Sequence, residues 1–424
     1  MTEHTGREAV AAVWRIESAR IVGALARYTG DFAMAEDLAQ EALAEALVTW
    51  PRDGVPRQPA GWLLTVGRRR AIDAFRRRAA LDDRYAAMAA DLDEGGSLTG
   101  GEPVPAAQIL WDPDQIDDDV LALMFISCHP VLSREAQLAL TLRVVGGLTS
   151  DEIAKACLVP TATVQARITR AKKTLGAAKV AFEVPPTAER KARLGSVLGV
   201  IYLIFTEGSS ASAGDDLIRF DLAGEARRLA RVLAQLMPTE PEVYGLLALL
   251  ELTSARFPAR TGPDGEPVLL EQQDRRRWDR SAIVRGRAAL VKAGAVGRGL
   301  GAYGLQASIA ECHAVAPSVE QTNWDRVVLL YEALGRLAPS PVVELNRAVA
   351  VSMASGPAAA LPIIDELAAA GELATSHLLP SVRGELLTRL GRTDEARTEL
   401  TEAHHRCGNE RERAVLARKL DALG

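Results

Sequence analysis

Aromatic residues are scarce in this sequence, at 4% of its 424 positions. Phe, Tyr and Trp are bulky strand formers, so their rarity argues against a large sheet. The four cysteines, Cys128, Cys157, Cys312 and Cys407, are scattered and form no CxxC pair. That argues against a disulfide framework or a zinc knuckle. Cys128 and His129 are adjacent and Cys157 lies nearby, but the spacing is wrong for the usual metal sites. Each cysteine reads as a small buried apolar residue, and no metal is expected. No run of eighteen apolar residues occurs, so no membrane span or membrane partner is expected. The opening MTEHTGREAV lacks the basic and apolar regions of a signal peptide, which makes a cytoplasmic location the expectation.

What dominates instead is Ala, Leu and Arg, residues that lose little on entering a helix, so the fold class expected is all-α. The chain is too long for one ordinary core, so several domains are expected. The net charge of -5 hides a block pattern. Residues 28–51 carry Asp31, Glu36, Asp37, Glu41 and Glu45 and no Lys or Arg. Residues 68–84 carry seven Arg against three acids. Residues 85–133 have no Lys or Arg, with nine acids before residue 120, and residues 134–179 hold eight basic residues against three acids. A chain meant only to coat DNA would not alternate in this way.

Ala35, Leu38, Ala39, Ala42, Leu43, Ala46 and Leu47 form the i, i+3, i+4, i+7 stripe of an amphipathic helix. Asp37, Glu41 and Glu45, spaced by four, line its other side beside Gln40. The plain alternative is a solvated face. Since no Lys or Arg sits at i+4 to pair with these acids, the stripe suits docking to a basic partner. Pro51 to Pro59 reads as a Pro-rich loop. In GWLLTVGRRRAIDAFRRR, residues 61–78, Leu64, Ala71 and Phe75 face a core while six arginines project outward. Asp73, four residues from both Arg69 and Arg77, is expected to orient them by ion pairs. Guanidinium forks suit phosphate oxygens, although an exposed solvated face would look similar.

The strongest local pattern is LTSDEIAKACLVPTATVQARITRAKKTL, residues 148–175. Thr149 and Glu152 match a capping box that opens a short helix whose inner face is Ile153 and Ala154. Pro160 breaks it, and Thr161 is the expected N-cap of a second helix. Val164, Ile168, Ala171 and Leu175 then make a regular apolar stripe. The opposite face is Ala162, Ala166, Thr169, Arg170 and Lys173, flanked by Gln165, Arg167 and Lys172. Small and polar groups lead and cations follow, as a recognition helix needs. An ordinary helical hairpin is the alternative.

Acidic helix, proline loop, arginine helix, acidic linker and helix-turn-helix, in that order, resemble an extracytoplasmic-function (ECF) sigma factor of the sigma-70 class. The resemblance covers about residues 7–180. It implies a core-polymerase-binding segment in DFAMAEDLAQEALAEALVTW, with Asp37, Gln40 and Glu41 as contacts. It implies minus-ten DNA binding by Trp62, Arg68, Arg69, Arg70, Asp73, Arg76 and Arg77, and capture of an unstacked base at the 51–61 loop. Minus-thirty-five DNA binding falls to Thr161, Thr163, Gln165, Ala166, Arg167, Thr169, Arg170, Lys172 and Lys173. Gln165 stands where many members carry a basic residue, and it suits adenine better than guanine. The implied partners are promoter DNA and core RNA polymerase, through the largest-subunit clamp and the flap of the second subunit.

The resemblance divides the chain into a region 2 domain at 1–84, an acidic linker at 85–119, a region 4 domain at 120–180 and an extension at 181–424. In the extension, LLPSVRGELLTRLGRTDEARTELTEAHHRCGN resembles a tetratricopeptide repeat, with Gly384, Leu387, Gly391, Ala396, Leu400 and Ala403 at packing positions. Ala348, Ala360, Ile364 and Leu367 fill similar places earlier, as do Val327, Tyr331 and Leu334, and Ala226, Ala230 and Leu233. Such units bury their faces only by stacking on neighbours, and they imply a protein or peptide partner. YLIFTEG (202–208) and EQQDRRRWD (271–279) resemble signatures of the ECF group with this extension. Glu207, Asp274 and Asp279 bring no nucleophile, metal cluster or phosphate loop with them, so no enzyme and no cofactor are expected. The main expectation is a sigma factor regulated by its own extension. The alternative is a one-component helix-turn-helix regulator, which would leave the Asp37 face and the arginine helix without a task.

Overall fold

The computed structural model describes residues 3–79, 113–157, 159–209, 220–262, 268, 270–408 and 410–423. Among the described residues there are eighteen α-helices, three short 3-10 turns and no strand. They fall into two compact units, Met1–Ile201 and Tyr202–Gly424. No helix among the described residues is long and apolar enough to cross a membrane.

The first unit begins with α1 (Glu3–Thr29), α2 (Phe32–Asp53) and α3 (Pro59–Ala79). Asp31 caps α2 by accepting from the Met34 N–H at 3.0 Å, satisfying one orphan donor of the first turn. Most of the apolar stripe of α2 is buried through Ala46, with Leu43 half-buried, whereas Leu47 stays exposed. α1 packs on both α2 and α3, around Ile21, Leu25, Trp50, Leu63, Leu64 and Phe75. The loop expected from Pro51 to Pro59 is shorter than that. Pro51 lies inside the last turn of α2, which closes where the Gly54 N–H donates to the Trp50 carbonyl at 3.0 Å. Pro59 opens α3, where a missing N–H costs nothing.

The same unit continues with α4 (Pro113–Ser127), α5 (Arg134–Val144), α6 (Ser150–Cys157), α7 (Thr161–Ala177) and the start of α8 (Thr187–Ser209). Helix α4 starts within the stretch expected to be acidic linker; residues 85–112 of that stretch lie outside the described residues. Asp119 is buried and accepts from Arg27 Nε at 3.0 Å. Burial raises its carboxyl pKa and Arg27 offsets that only in part. The capping box is formed: the Glu152 N–H donates to Thr149 Oγ1 at 3.2 Å, and the Thr149 N–H donates to Glu152 Oε2 at 2.8 Å. Thr161 is not the cap of α7. Pro160 holds that position in extended conformation, and Thr161 Oγ1 instead donates to Asp151 Oδ1 at 2.8 Å. Gly147, between α5 and α6, has φ +71°, and a Cβ there would lie 2.5 Å from Ser18 Oγ of α1. Only glycine meets both demands.

Cys128 is buried with its Sγ 3.3 Å from Thr141 Oγ1, and burial pushes the thiol up to about 11. It behaves as a packing residue.

The second unit runs on from the rest of α8 through α9 (Phe220–Leu236), α10 (Pro241–Ser254), α11 (Arg280–Ala295), α12 (Ala302–Val315), α13 (Trp324–Leu337), α14 (Pro341–Ser355), α15 (Pro357–Ala369), α16 (Leu378–Arg389), α17 (Thr393–Arg406) and α18 (Glu410–Asp421). From α11 on, each helix packs against its successor, as helical repeats do. Ala226, Ala230, Leu233, Val327, Leu334, Ala348, Ala360 and Ile364 are all buried. Where α16 crosses α17, a Cβ on Gly384 would sit 2.7 Å from Leu400 Cγ, so the close approach depends on its missing side chain. Gly391 turns the chain between these helices at φ +74°.

His313 of α12 packs edge-on against Trp324, with its Nδ1 buried and unbonded. Burial, then the Arg256 and Arg275 charges, push its imidazole down to about 4. A base with a depressed folded pKa contributes stability above its unfolded value of 6.5 that is lost as pH falls towards 4. The loss is expected to reach on the order of 3 kcal/mol. Urea unfolding of the full chain between pH 7 and pH 4 should show this slope, and His313→Phe should flatten it.

Candidate nucleic-acid interface

The acids of α2 and the arginines of α3 face each other. Arg69 donates to Glu45 at 3.0 Å, and Arg70 bridges Glu45 at 2.8 Å and Glu41 at 3.1 Å. The stripe expected to be unpaired is therefore matched by the next helix, because antiparallel packing puts opposite charges across one seam. The Arg70 hydrogen bond, which outweighs desolvation, lowers the Glu45 pKa. Asp73 is exposed and makes no ion pair with Arg69 or Arg77, since Arg69 is already held by Glu45. Arg68 lies over the Tyr28 ring at 5.0 Å. Arg76 and Arg77 are exposed, as are Asp37 and Glu41, while Gln40 is half-buried.

Trp62 meets Trp50 edge-on, with centroids 5.5 Å apart. It lines a cavity of about 320 Å³ with Glu45, Gln58, Gly61, Thr65, Val66 and Arg69. One aromatic wall and several polar groups suit a flat heteroaromatic guest. Gln58, Thr65 and Glu45 were not among the expected site residues. Gln58, just before α3, and Thr65 on it lie one turn to either side of Trp62, whereas Glu45 reaches it only through the α2–α3 crossing.

On α7, Val164, Ile168, Ala171 and Leu175 are buried against α5 and α6. Gln165, Ala166, Thr169, Arg170 and Lys173 are exposed, while Thr161, Thr163 and Arg167 are half-buried. Lys172 points away from that open face. Its Nζ donates to Glu36 Oε2 at 2.7 Å and to Asp37 Oδ1 at 2.5 Å, joining α7 to α2. Burial alone would lower this amine's pKa, but Glu36 and Asp37 outweigh it and the net shift is upward. Arg143 Nε donates to Glu36 Oε1 at 3.2 Å. Glu36 thus joins both halves, a role the sequence signals only weakly, by an acid beside the apolar Ala35 and Ala39. A second link runs from Arg15 of α1 to the capping residue Glu152, at 2.5 Å.

In the second unit, His377 Nε2, Cys407 Sγ and a Glu412 carboxylate oxygen lie within 4.8 Å of one another. His377 and Glu412 are 3.3 Å apart.

The sequence matches sigma-70 region 2 over residues 15–80 and sigma-70 region 4 over residues 122–175. These ranges contain α2 and α3 in the first case, and α5, α6 and most of α7 in the second. Residues 193–294 match a family of unknown function, DUF6596. An uncharacterized protein of Rhizobium meliloti, R00370, is 44% identical over 406 residues, covering 95% of this chain and 93% of that protein. A probable ECF RNA polymerase sigma factor of Mycobacterium tuberculosis, SigI, is 26% identical over 190 residues, 45% of this chain and 61% of that protein.

Proposed function

Because this chain belongs to the ECF-type sigma-70 factors that carry a helical C-terminal extension, we propose that it docks on core RNA polymerase through Asp37, Gln40 and Glu41 and starts promoter-specific transcription under the control of its extension. The family is not one of enzymes, and the work is recognition. The observation that supports the reading most is the pairing, in one unit, of an acidic α2 face with a helix-turn-helix whose α7 keeps Gln165, Thr169, Arg170 and Lys173 exposed. Asp37 and Glu41 are ion-paired to Lys172 and Arg70 but stay exposed, and from there they present unlike charge to a basic clamp, which steers docking. Arg170 and Lys173 hold phosphates while Gln165 and Thr169 reach base edges. Arg68, Arg76 and Arg77 of α3 lie along the minus-ten strand, and the Trp62 cavity receives a base turned out of the stack. This work belongs in the cytoplasm, with polymerase and promoter.

Run-off transcription with purified core polymerase and the full chain tests this reading. Start-site-specific transcripts are expected, and Asp37→Lys with Glu41→Lys should abolish them along with binding to core. A chain that neither binds core nor yields a specific transcript on any genomic fragment sinks the reading. Trp62→Ala should leave core binding intact and lower open-complex formation about tenfold or more, the usual cost of losing one base–aromatic stack. Permanganate footprinting of the melted strand reads this out.

A further inference from the structure

A cavity of about 320 Å³ in the second unit lies among the segment after α10, the start of α16 and the inner face of α18. We propose that it binds a small organic anion, a carboxylate or phosphate on an apolar body, held by Arg256 and Arg260. The walls include Leu270, Leu378 and Leu416. Seven of the twelve lining residues are polar, so the site is more polar than the usual small-molecule pocket and suits a charged head group, and its volume lies at the lower end of the usual range.

The charge balance points to an anion. Arg256 Nε donates to the neutral Gln273 Oε1 at 3.3 Å, and its guanidinium lies over the Trp278 ring at 5.5 Å. Arg260 Nη1 donates to the Ser209 carbonyl at 2.7 Å. Among the described residues, neither guanidinium has a carboxylate within ion-pair distance, and the Glu412 charge acts on Arg260 only from farther off. Several other arginines of this unit do: exposed Arg231 and Arg285 meet Glu251, and half-buried Arg383 and Arg347 meet Asp365 with Glu399 and Glu344 respectively. A buried charge without a partner is costly, so an arginine pair left facing a cavity is suited to a ligand that supplies the missing charge. Burial, with Arg260 and Arg275 adding to it, pushes Arg256 down to about 10. An incoming anion relieves this strain.

The other charged groups around the cavity are already engaged. Glu412 is 3.3 Å from His377, and Lys419 is bound to Glu385 at 2.5 Å. The same excess of guanidinium charge opposes a cation at His377, Cys407 and Glu412. An anion seated here would contact the segment after α10 and the last helix of the unit at once, giving the extension a chemical input.

The test is calorimetric titration of the full chain with sodium benzoate and with phenyl phosphate, using phenol as the uncharged analogue at constant ionic strength. At least one anion should bind saturably, and which one does identifies the head group. Arg256→Met and Arg260→Met should each weaken that anion about tenfold or more, as expected for losing a charge-assisted hydrogen bond. Phenol should not bind measurably. If either arginine variant fails to fold by circular dichroism, Val415→Trp, which fills the cavity and leaves both guanidiniums in place, should abolish binding. The proposal fails if neither anion saturates, if phenol binds as well, or if anion binding survives all these substitutions. A polyglutamate peptide that binds when both small anions do not would equally overturn it, in favour of a protein partner.

Discussion

Glu251→Ala is expected to destabilise the second unit by about 3–5 kcal/mol, the usual result of removing one partner from a buried ion pair. Glu251 sits on α10 at 1% exposure. Its Oε1 accepts from Arg231 at 3.0 and 2.5 Å, its Oε2 from Arg285 at 3.2 and 3.1 Å, and Arg227 stands 3.9 Å away. Arg227 and Arg231 belong to α9 and Arg285 to α11, so one carboxylate ties three helices. Its loss leaves three guanidiniums confronting each other with only the more distant Asp279, 4.0 Å from Arg285, as counter-charge among the described residues. Burial already lowers the Arg227 pKa, with Glu251 the main group pulling it back up. Glu251→Gln should cost nearly as much, since shape is kept and charge is lost. Replacing the whole set with Glu251→Leu, Arg231→Met and Arg285→Leu should recover most of the loss, because a packed apolar cluster competes well with a buried ion network. Urea unfolding followed through the intrinsic fluorescence of this unit's tryptophans reads all three. A loss below about 1 kcal/mol for Glu251→Ala would mean that solvent screens the network as it does at a surface.

The second large effect is expected at Glu36, which is 3% exposed and bonded to both Arg143 and Lys172. Glu36→Ala leaves these two cations facing each other, with exposed Asp37 as the only remaining acid at Lys172. The joint between α2 and α7 should weaken by about 3–5 kcal/mol, while the separate cores around Trp50 and Ile153 stay folded. Spin labels at Val48 and Lys173, both exposed, should report one distance in the parent and a broad, longer distribution in the variant. A distribution unchanged from the parent would refute the joint. The parent should respond to alkali as well. Lys172 has a folded pKa above its ordinary 10.5. Its stabilisation is therefore complete below 10.5 and is lost as pH rises through the folded value. The label distance should hold to pH 10.5 and lengthen above it.

The parts legible from sequence were those set by local periodicity. The stripe of α7, the inner face of α6 and the Thr149–Glu152 box depend on residues within one turn of each other, and each took the expected form. The all-helical class followed in the same way from composition. What depends on the crossing of two helices was not legible. Nothing near Glu41 or Glu45 in sequence announces Arg69 and Arg70, which come from 24 to 29 positions away. Lys172 shows the limit most clearly. By spacing it flanks the side of α7 expected to meet DNA, yet α2 supplies two carboxylates that turn its amine aside. Thr161 failed as a cap for a smaller reason, since Pro160 already has the extended backbone of that position.

The Lys172 contact also carries a consequence of length. On the proposed roles, α3 reads an element centred ten base pairs before the start site and α7 one centred thirty-five before it. Those centres are roughly 85 Å apart along B-form DNA. Helices joined through a 2.5 Å contact between Lys172 and Asp37 do not reach across such a span. The closed unit is too short a caliper for its own promoter. It reads one element at a time, and the distance tolerated between the two elements is then set by whatever holds the halves apart. On the proposed roles, promoter spacing would then fall under the control of the polymerase that holds the halves apart.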